Sequence, residues 1–453
     1  MDYLENKNWP EGFVKRMQQQ LGSEADAFFN SLADPSPTSI RLHHSKGRSS
    51  FDLSDHVKWC DTGYYLEERP FFHLDPHWHA GAYYVQEASS MILDAVVQKL
   101  SLDDQPKIWL DMCAAPGGKT GILAKNLRPA DVLIANEVVS QRKSVLYENL
   151  IKGGYLNTFI SGEKSSNFPE EFADIILIDA PCAGEGMMRK EPEAINQWSE
   201  RLVYSCSILQ REIVRDAVKS LKPGGYLIYS TCSYSPDENI DNVDSFLRNH
   251  PLENLDFQFP DDWNITEIKK GTATGYQLFP HKIRGEGLFI AVLQKKGVPK
   301  ALPIFSKKQT RIFEKPEGLF EKFIQQPNEY LNEITHDGFA IINASAESVA
   351  REVRINLPRA ELIANIGEQK GKDFIPSHFL AMSGIQSDNL VTIEMSMNES
   401  LDFLERKTPS FEIDHPMGWS IAKYEGSNLG WMKNTQQGWK NYYPMNWRLR
   451  NRK

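Results

Sequence analysis

Residues 108–120, which read I-W-L-D-M-C-A-A-P-G-G-K-T, constrain the fold more than any other stretch of the chain. An apolar run ends at Asp111, a turn of small residues follows, and Lys119 opens a helical pattern. We therefore predict a strand, a tight loop and a helix. In an open parallel sheet, such a junction directs backbone N–H groups to the carboxyl end of a strand, where ligands bind. The alternative is an ordinary strand-to-helix turn without a ligand.

The same loop is not a phosphate-binding P-loop. Gly118, Lys119 and Thr120 supply the second half of G-x-x-x-x-G-K-[ST], but Cys113 stands where the first glycine belongs, and the G-x-G-x-x-G fingerprint is missing too. Glu137 ends the next apolar run, and a carboxylate there can accept hydrogen bonds from both hydroxyls of a ribose. The sequence therefore favours an adenosine-type cofactor over a nucleoside triphosphate.

Short apolar runs alternate with helical patterns from residue 108 to about residue 296. The predicted strands are 108–110, 132–135, 157–160, 175–178, 226–230 and 288–293, and the predicted helices are 119–127, 140–152, 193–221 and 238–249. This alternation predicts an α/β fold with a mostly parallel sheet that helices cover on both faces. The run K-P-G-G at 222–225 predicts a helix stop and a turn.

The length of 453 residues, with 41% hydrophobic residues, predicts several domains with sizeable cores. We divide the chain into a small N-terminal α+β domain (1–90), a catalytic domain (91–297), a connecting α/β module (298–385) that begins with a linker at 297–320, and a C-terminal β-rich domain (386–453). Gly418, Gly426, Gly430 and Gly438 are spaced as turns of a small barrel.

Location follows from what the sequence lacks. Neither a leader nor a membrane-spanning stretch is recognisable. Five cysteines, an odd number without C-x-x-C spacing, argue against a disulfide framework and a zinc site. We expect a protein of the reducing cytoplasm that does not contact membranes.

The C-terminal segment differs in charge from the rest of the chain. The net charge of -9 argues against nucleic acid as a partner, yet residues 418–453 hold seven basic residues and one acid, Glu425. Seven aromatic residues lie among these charges, which suits RNA, because bases stack on rings while phosphates pair with cations. The alternative is that the rings are the core of a small β-domain. We expect Lys433, Lys440 and Arg448 to contact RNA.

A histidine-rich stretch is the only candidate for a metal site. His73, His77 and His79 stand close together with Asp75 among them, but no cysteine pattern or metal-ligand spacing accompanies them. Packing or contact with RNA is the better interpretation, and we predict no metal.

Two cysteines stand at the ends of predicted strands. Cys182 lies in I-D-A-P-C-A-G-E-G and Cys232 in Y-S-T-C-S-Y, whereas Cys60 and Cys206 are interpreted as inert apolar residues. A thiolate that adds to C6 of cytosine turns C5 into a nucleophile for an activated methyl group. Asp179 can hydrogen-bond the N3 edge of the ring, and a second cysteine can assist release. These residues alone do not decide which cysteine attacks.

Three motifs together resemble the Sun/Fmu-type family of RNA 5-methylcytosine methyltransferases: D-M-C-A-A-P-G-G-K-T at 111–120, D-A-P-C at 179–182 and S-T-C at 230–232. Within it, residues 84–90, 279–287, 429–431 and 440–444 are most similar to the bacterial ribosomal small-subunit methyltransferase F group. The resemblance extends from about residue 38 to the end. It implies a Rossmann-like sheet that uses S-adenosylmethionine and a C-terminal PUA-like RNA-binding domain.

The resemblance also implies roles for single residues. Cys232 is the nucleophile, Cys182 assists release of the methylated RNA, and Asp179 lies beside cofactor and base. Glu137 binds the ribose. The turn that binds S-adenosylmethionine consists of Cys113, Ala114, Ala115, Pro116, Gly117, Gly118 and Lys119.

The resemblance leaves the roles of residues 161–163 and 189–190 open between two alternatives each. Where the family often has an acid after the third strand, this chain has S-G-E at 161–163, so either Ser161 or a shifted Glu163 would contact the adenine. Arg189 and Lys190 follow the Pro-Cys loop, and we expect them at an RNA phosphate or at a solvated helix start.

The leading hypothesis is methylation of cytosine C5 in ribosomal RNA, favouring the small subunit, by a monomer that binds RNA or the small ribosomal subunit. The first alternative is transfer RNA as the substrate. The second is a non-catalytic ribosome assembly factor, which the presence of Lys119, Asp179, Cys182 and Cys232 argues against.

Overall fold

The computed structural model describes residues 8–298, 312–316, 322–371, 373–407 and 416–452. Most of the predicted linker at 297–320 lies outside the described residues, and so does Lys453.

The N-terminal part combines three helices with a small antiparallel sheet. The helices are α1 (Glu11–Leu21), α2 (Ala25–Ala33) and α3 (Pro76–His79); the strands are β1 (Thr38–Leu42), β2 (Gly63–Leu66) and β3 (Tyr83–Val85), in the order β2-β1-β3. Helices α1 and α2 bury Phe13, Phe28 and Phe29 against Met188 and Phe279 of the catalytic part. Burial of these apolar faces holds the N-terminal helices beside the loops that contain Cys182 and Cys232.

The central sheet has the order β10-β11-β12-β8-β7-β4-β5-β6-β15, where β15 is Glu361–Leu362. Its strands between residues 108 and 295 are β4 (Ile108–Asp111), β5 (Val132–Asn136), β6 (Thr158–Ser161), β7 (Ala173–Asp179), β8 (Leu221–Thr231), β9 (Leu252–Asn254), β10 (Thr266–Lys270), β11 (Ala273–Leu278) and β12 (Leu288–Lys295). Strands β4 to β8 pair in parallel, and β12 is antiparallel to β8. The predicted α/β fold is confirmed, but the expectation of a mostly parallel sheet was wrong: among the described strands, four pairings are parallel and five are antiparallel. The strand order reverses between β4 and β7, which is where such sheets bind ligands.

Helices cover both faces of this sheet. They are α4 (Ile92–Gln98), α5 (Gly118–Lys125), α6 (Ser140–Gly153), α7 (Pro192–Gln197), α8 (Glu200–Ser220) and α9 (Ile240–Asn249). The strands are apolar on both sides because Ile108 and Leu110 join one core cluster while Trp109 joins another.

Two sequence predictions in this region were wrong. The predicted helix at 193–221 is divided in two, because Trp198 is extended and the Ser199 side chain caps α8 by accepting a hydrogen bond from the Leu202 N–H. The K-P-G-G run at 222–225 does follow a helix stop, since α8 ends at Ser220, but the predicted turn is instead a bulge within β8, because β7 pairs Ala173 with Leu221 but Ile175 with Tyr226.

A connecting module follows the central sheet. Its strands are β13 (Tyr330–Thr335), β14 (Gly338–Asn343), β16 (Asn365–Lys370) and β17 (Asp373–Pro376), and its helices are α10 (Glu347–Asn356) and α11 (His378–Met382). The short strand β15 (Glu361–Leu362) leaves this module and pairs with β6, placing Glu361 opposite Ile160 and Leu362 opposite Phe159. The module therefore extends the central sheet at its outer edge.

The C-terminal part is a four-stranded sheet with one helix. The strands are β18 (Val391–Glu394), β19 (Gly418–Tyr424), β20 (Ser427–Thr435) and β21 (Gly438–Asn441), and the helix is α12 (Met397–Leu404). Gly426 lies in the β19–β20 turn. Gly418 and Gly430 lie within strands, so the prediction that they mark turns was wrong. In the described part of the chain, no helix is long and apolar enough to cross a membrane.

Candidate active site

The two strand-end cysteines meet at the carboxyl edge of the sheet. Strands β7 and β8 are parallel neighbours, and the loops after them bring Cys182 Sγ to 2.9 Å from Cys232 Sγ, with both cysteines free. The pKa of Cys182 lies well above its usual value, first because of the hydrogen bond with Cys232 and then because of burial. Cys182 is therefore held in its protonated thiol form.

A buried carboxylate, Glu238, connects the two cysteine loops. Its Oε2 accepts hydrogen bonds from the Ala183 N–H (3.0 Å) and Gln210 Nε2 (2.8 Å), and its Oε1 accepts from Ser233 Oγ (2.8 Å). Ala183 follows Cys182 directly, and Ser233 follows Cys232. Burial raises the pKa of Glu238 to about 7. The sequence analysis missed this residue, whose only signal is an acid shortly after S-T-C.

A second buried carboxylate, Glu185, joins the same loops to the N-terminal helices. It is fully buried and accepts from Trp198 Nε1 (2.8 Å), the Tyr234 N–H (2.9 Å) and Ser233 Oγ (3.2 Å). Arg16 Nη2 of α1 forms an ion pair with Glu185 Oε1 at 2.7 Å. The sequence analysis missed both members of this pair, because nothing local links residue 16 to residue 185.

Lys119 and Asp179 form an ion pair next to the cysteines. Lys119 Nζ lies 2.8 Å from Asp179 Oδ1, which also accepts from Ser230 Oγ at 2.9 Å. Burial lowers the pKa of Lys119, but the neighbouring Asp179 carboxylate outweighs it, and the pKa ends above its usual value. Lys119 is therefore cationic.

The predicted strand–loop–helix junction is present as β4, the 112–117 turn and α5. Gly117 has a φ of +113°, in the left-handed region that favours glycine, and a side chain there would meet Leu146 Cδ1 at 3.2 Å. Thr120 Oγ1 donates to Asp111 Oδ2 at 2.7 Å and so fastens the helix to the strand end. Burial raises the pKa of Asp111 to about 7.

A cavity of about 800 Å³ opens beside this junction. Six of the predicted site residues line it: Cys113, Ala115, Glu137, Asp179, Cys182 and Cys232. The other predicted cofactor-binding residues do not line it: Ala114, Pro116, Gly117, Gly118, Lys119 and Ser161. Lys119 is linked to the cavity by its ion pair with Asp179. The structure thus brings the end of β5, the turn after β4 and the cysteine pair around one space.

At the end of the cavity next to β5 and β6, the lining residue is Asn136 and not the predicted Ser161. Ser161 is buried below it and donates to Asn136 Oδ1 at 2.6 Å, while Glu163 Oε2 accepts from Asn167 Nδ2 at 2.9 Å. Asn136 itself lines the cavity, together with residues 164–166. Ser161 thus positions Asn136, and its direct contact with an adenine stays a prediction. Glu137 Oε2 forms an ion pair with Arg142 Nη1 at 3.1 Å.

The two basic residues after the Pro-Cys loop are engaged within the protein. Arg189 donates to the carbonyl oxygens of Asp34 (3.2 Å), Pro35 (3.0 Å) and Gly285 (2.8 Å), and Lys190 pairs with Glu286 at 2.8 Å. They fasten the loop to neighbouring segments. Their contact with RNA stays a prediction.

The predicted C-terminal RNA contacts lie outside the cavity. Lys433 of β20 lies opposite Lys440 of β21 in the strand register, and the Lys433 Nζ lies 5.1 Å from the Trp419 ring centroid. Arg448 lies beside Met445. The rings of Trp431 and Tyr443 are buried, which supports the core interpretation for these two aromatics.

The histidine-rich stretch packs on the C-terminal sheet. His77 Nε2 lies 3.2 Å from Glu425 Oε2, and His79 Nδ1 lies 3.2 Å from Tyr443 Oη. No group of three or more His, Cys, Asp or Glu side chains that could hold a metal occurs among the residues described.

Comparison with known proteins follows this division of the chain. Residues 9–88 match the N-terminal domain of 16S rRNA methyltransferase RsmF, residues 97–294 match 16S rRNA methyltransferase RsmB/F, and residues 390–449 match the methyltransferase RsmF PUA domain.

Individual proteins give the same result. The ribosomal RNA small subunit methyltransferase F of Shewanella piezotolerans is 29% identical, with 96% of each chain covered. The protein of that name from Erwinia tasmaniensis is 32% identical, with 67% of each covered. A solved methyltransferase homolog protein from Pyrococcus horikoshii is 29% identical, with a TM-score of 0.53, and covers 65% of this chain and 98% of its own.

Proposed function

Since the chain belongs to the RsmF family of 16S rRNA methyltransferases, we propose that it methylates C5 of a cytosine in small-subunit ribosomal RNA through a covalent bond from Cys232 to C6. The observation that carries this proposal is the cysteine pair: two sulfurs 2.9 Å apart, lining one cavity with Asp179 and Glu137. The family is S-adenosylmethionine-dependent, and the finer chemistry is argued below from the residues of this chain.

The cavity fits S-adenosylmethionine in size and chemistry. A space of about 800 Å³ is within the range of small-molecule sites. Glu137, at the end of the second parallel strand, would accept from the ribose hydroxyls, and Cys113 and Ala115 would border the cofactor. When bound, S-adenosylmethionine supplies an electrophilic methyl group.

Cys232 is the proposed nucleophile because it stands in the S-T-C motif, to which the family resemblance assigns the attack, and its Sγ lies 2.9 Å from Cys182 Sγ at the cavity. Attack by the Cys232 thiolate, whose proton has passed to solvent, forms a bond from Sγ to C6 while the C5–C6 double bond gives up its π electrons, which makes C5 nucleophilic. Asp179 can accept from the exocyclic amine of cytosine, a group that uracil lacks.

Release requires a base for the C5 proton. The first cause of the raised pKa of Cys182 is its hydrogen bond with Cys232, and that bond is lost once the Cys232 sulfur is bound to C6. This removes the largest cause of the raised pKa of Cys182, while burial remains. Once the Cys182 proton has passed to solvent, the thiolate can take the C5 proton and becomes a thiol again. Loss of that proton restores the C5–C6 double bond as the sulfur–C6 bond breaks.

The test of this proposal is to detect the covalent protein–RNA bond. Cys182→Ala, incubated with S-adenosylmethionine and unmodified 16S rRNA, should accumulate a protein–RNA adduct that survives denaturing electrophoresis. Cys232→Ser and the double variant should form no adduct and no methylcytosine. Cys206→Ala, which does not line the cavity, is the matched control and should behave as wild type.

Either of two results would overturn the assignment: an adduct in Cys232→Ser, or normal turnover by that variant. Bisulfite sequencing of 16S rRNA and of transfer RNA after the same incubation separates the two RNA substrates.

A further inference from the structure

Two adjoining cavities lie where the N-terminal part, the connecting module and the C-terminal sheet meet. Their volumes are about 360 and 550 Å³, and both are lined by Ser45, Lys46, Met382 and Gly384. We call them together the junction groove. It shares no lining residue with the active-site cavity.

The groove has one sign of charge. Lys46, Arg48, Arg128 and Lys423 line it, and among the described residues no aspartate or glutamate side chain does. This is unexpected for a chain with 60 acidic and 51 basic residues. The other polar lining groups include the hydroxyls of Ser45 and Ser427, which lie 3.3 Å from His43 Nδ1 and 3.0 Å from His77 Nδ1, respectively.

Two of the four cations are already engaged. Lys46 Nζ donates to the carbonyl oxygens of Lys152 (2.5 Å) and Met382 (2.9 Å), and Arg128 pairs with Asp131 at 2.8 Å. Arg48 donates only to the Glu425 carbonyl at 3.3 Å, and neither it nor Lys423 has a carboxylate partner in the described part of the chain. Arg48 and Lys423 are therefore the cations that can receive a ligand.

Arg48 also lies close to the C-terminal sheet. Its guanidinium carbon is 3.4 Å from where a Cβ would stand on Gly426, so the planar group lies beside the β19–β20 turn. A planar, oriented guanidinium next to a lysine suits the oxygens of a phosphodiester.

We propose that the junction groove binds the sugar-phosphate backbone of RNA, with Arg48 and Lys423 each pairing with one phosphate. This proposal rests on the proposed function, which supplies RNA as the substrate. Cations that face no base edge fix position without reading sequence, so the groove is an anchoring site for the RNA outside the target nucleotide.

The groove lies at the opposite edge of the central sheet from the cysteine pair. Its lining residues Arg128 and Asn157 precede β5 and β6, whereas Cys182 and Cys232 follow β7 and β8. A five-residue strand such as β5 spans about 15 Å. Only an RNA long enough to pass around the sheet edge can occupy both sites, so a short hairpin that fills the active site will not reach the groove.

The test compares two RNAs and two double variants of the full chain. Arg48→Gln/Lys423→Gln removes the anchoring cations. Lys269→Gln/Lys270→Gln removes two exposed cations of β10 that already pair with Glu267 and Asp241, and serves as the matched control. The RNAs are a long 16S transcript and a short hairpin that contains the cytosine methylated by the wild type. Affinity is measured against salt concentration.

Each phosphate contact contributes about 0.7–0.9 to the slope of log K against log salt. For the long transcript, the Arg48→Gln/Lys423→Gln slope should be shallower than wild type by about 1.5, with hairpin binding and methylation of the hairpin unchanged. If the Arg48→Gln/Lys423→Gln slope equals that of the control variant, the proposal that the junction groove binds RNA is overturned. In that case, wild-type methylation of C5 would leave the proposed function intact, whereas failure of the wild type to bind RNA overturns both.

Discussion

Replacing Arg16 with methionine should destabilise the protein and slow methyl transfer, although Arg16 does not line the active-site cavity. Arg16 forms its ion pair with Glu185, which also accepts from the Tyr234 N–H and from Ser233 Oγ. Ser233 follows the proposed nucleophile directly. Loss of Arg16 therefore affects both the docking of α1 and the position of the Cys232 loop.

The magnitude follows from burial. Removing one partner of a buried ion pair costs about 3–5 kcal/mol, because the remaining charge is left uncompensated. Glu185 is fully buried, but the Arg16 side chain is 21% exposed and three other donors stay on the carboxylate, so we expect about 2–3 kcal/mol. Methionine retains part of the contact that the arginine makes with the Phe13 and Trp198 rings.

The assay is urea unfolding of wild type, Arg16→Met, Glu185→Gln and the double variant. The double variant should be more stable than Arg16→Met alone, since it buries no unpaired charge. Displacement of the loop should lower kcat on the order of 10-fold with KM for RNA little changed. A loss below about 0.5 kcal/mol for Arg16→Met, or single effects that simply add, would refute the reasoning.

Three further predictions concern other groups. Glu238 has its pKa raised from 4.5 to about 7 in the folded state, so the folded protein holds a proton that the unfolded chain loses, and stability should fall as pH rises through this window. Glu238→Gln should lack this contribution but keep that of Asp111, whose pKa burial also raises to about 7. Between pH 4.5 and pH 8, the unfolding free energy by urea titration should therefore fall by up to about 3 kcal/mol less in the variant than in wild type; parallel curves for the two proteins would contradict it. Glu137→Gln should weaken S-adenosylmethionine binding about 10-fold in equilibrium dialysis, from the loss of one charged hydrogen bond, while Glu163→Gln, outside the cavity lining, should not; equal effects would exclude the ribose role. Lys433→Gln/Lys440→Gln should make the salt dependence of RNA binding shallower by about 1.5 without altering cofactor affinity, and an unchanged slope would exclude these two lysines as phosphate contacts.

The sequence predicted the parts of the site whose determinants are local. The apolar run before Asp111 and the glycines after it predict the β4–turn–α5 junction, and this junction is confirmed. Cys182 and Cys232 each follow an apolar run. Because the carboxyl ends of parallel strands share an edge, their proximity was within reach of the sequence.

The remaining features depend on contacts between distant segments. Glu185 and Glu238 are ordinary loop acids in the sequence, and their burial arises only when α1 and α8 pack on the cysteine loops. The K-P-G-G run at 222–225 is locally a turn signal, but pairing of Leu221 and Tyr226 with β7 on either side of it keeps it in the strand. The charges of the junction groove come from residues some 375 positions apart (48 and 423), and no local pattern connects them.

Strand β15 has a practical consequence for anyone who trims this protein. The outer edge of β6 is paired only with the two residues of β15 and with the Ile363 N–H, which donates to the Thr158 carbonyl, as far as the described residues show. A version cut after residue 297 would leave that margin bare, and a bare strand is a template for intermolecular pairing. The smallest version expected to stay dispersed at high concentration therefore runs past residue 363, far beyond the last residue that carries chemistry.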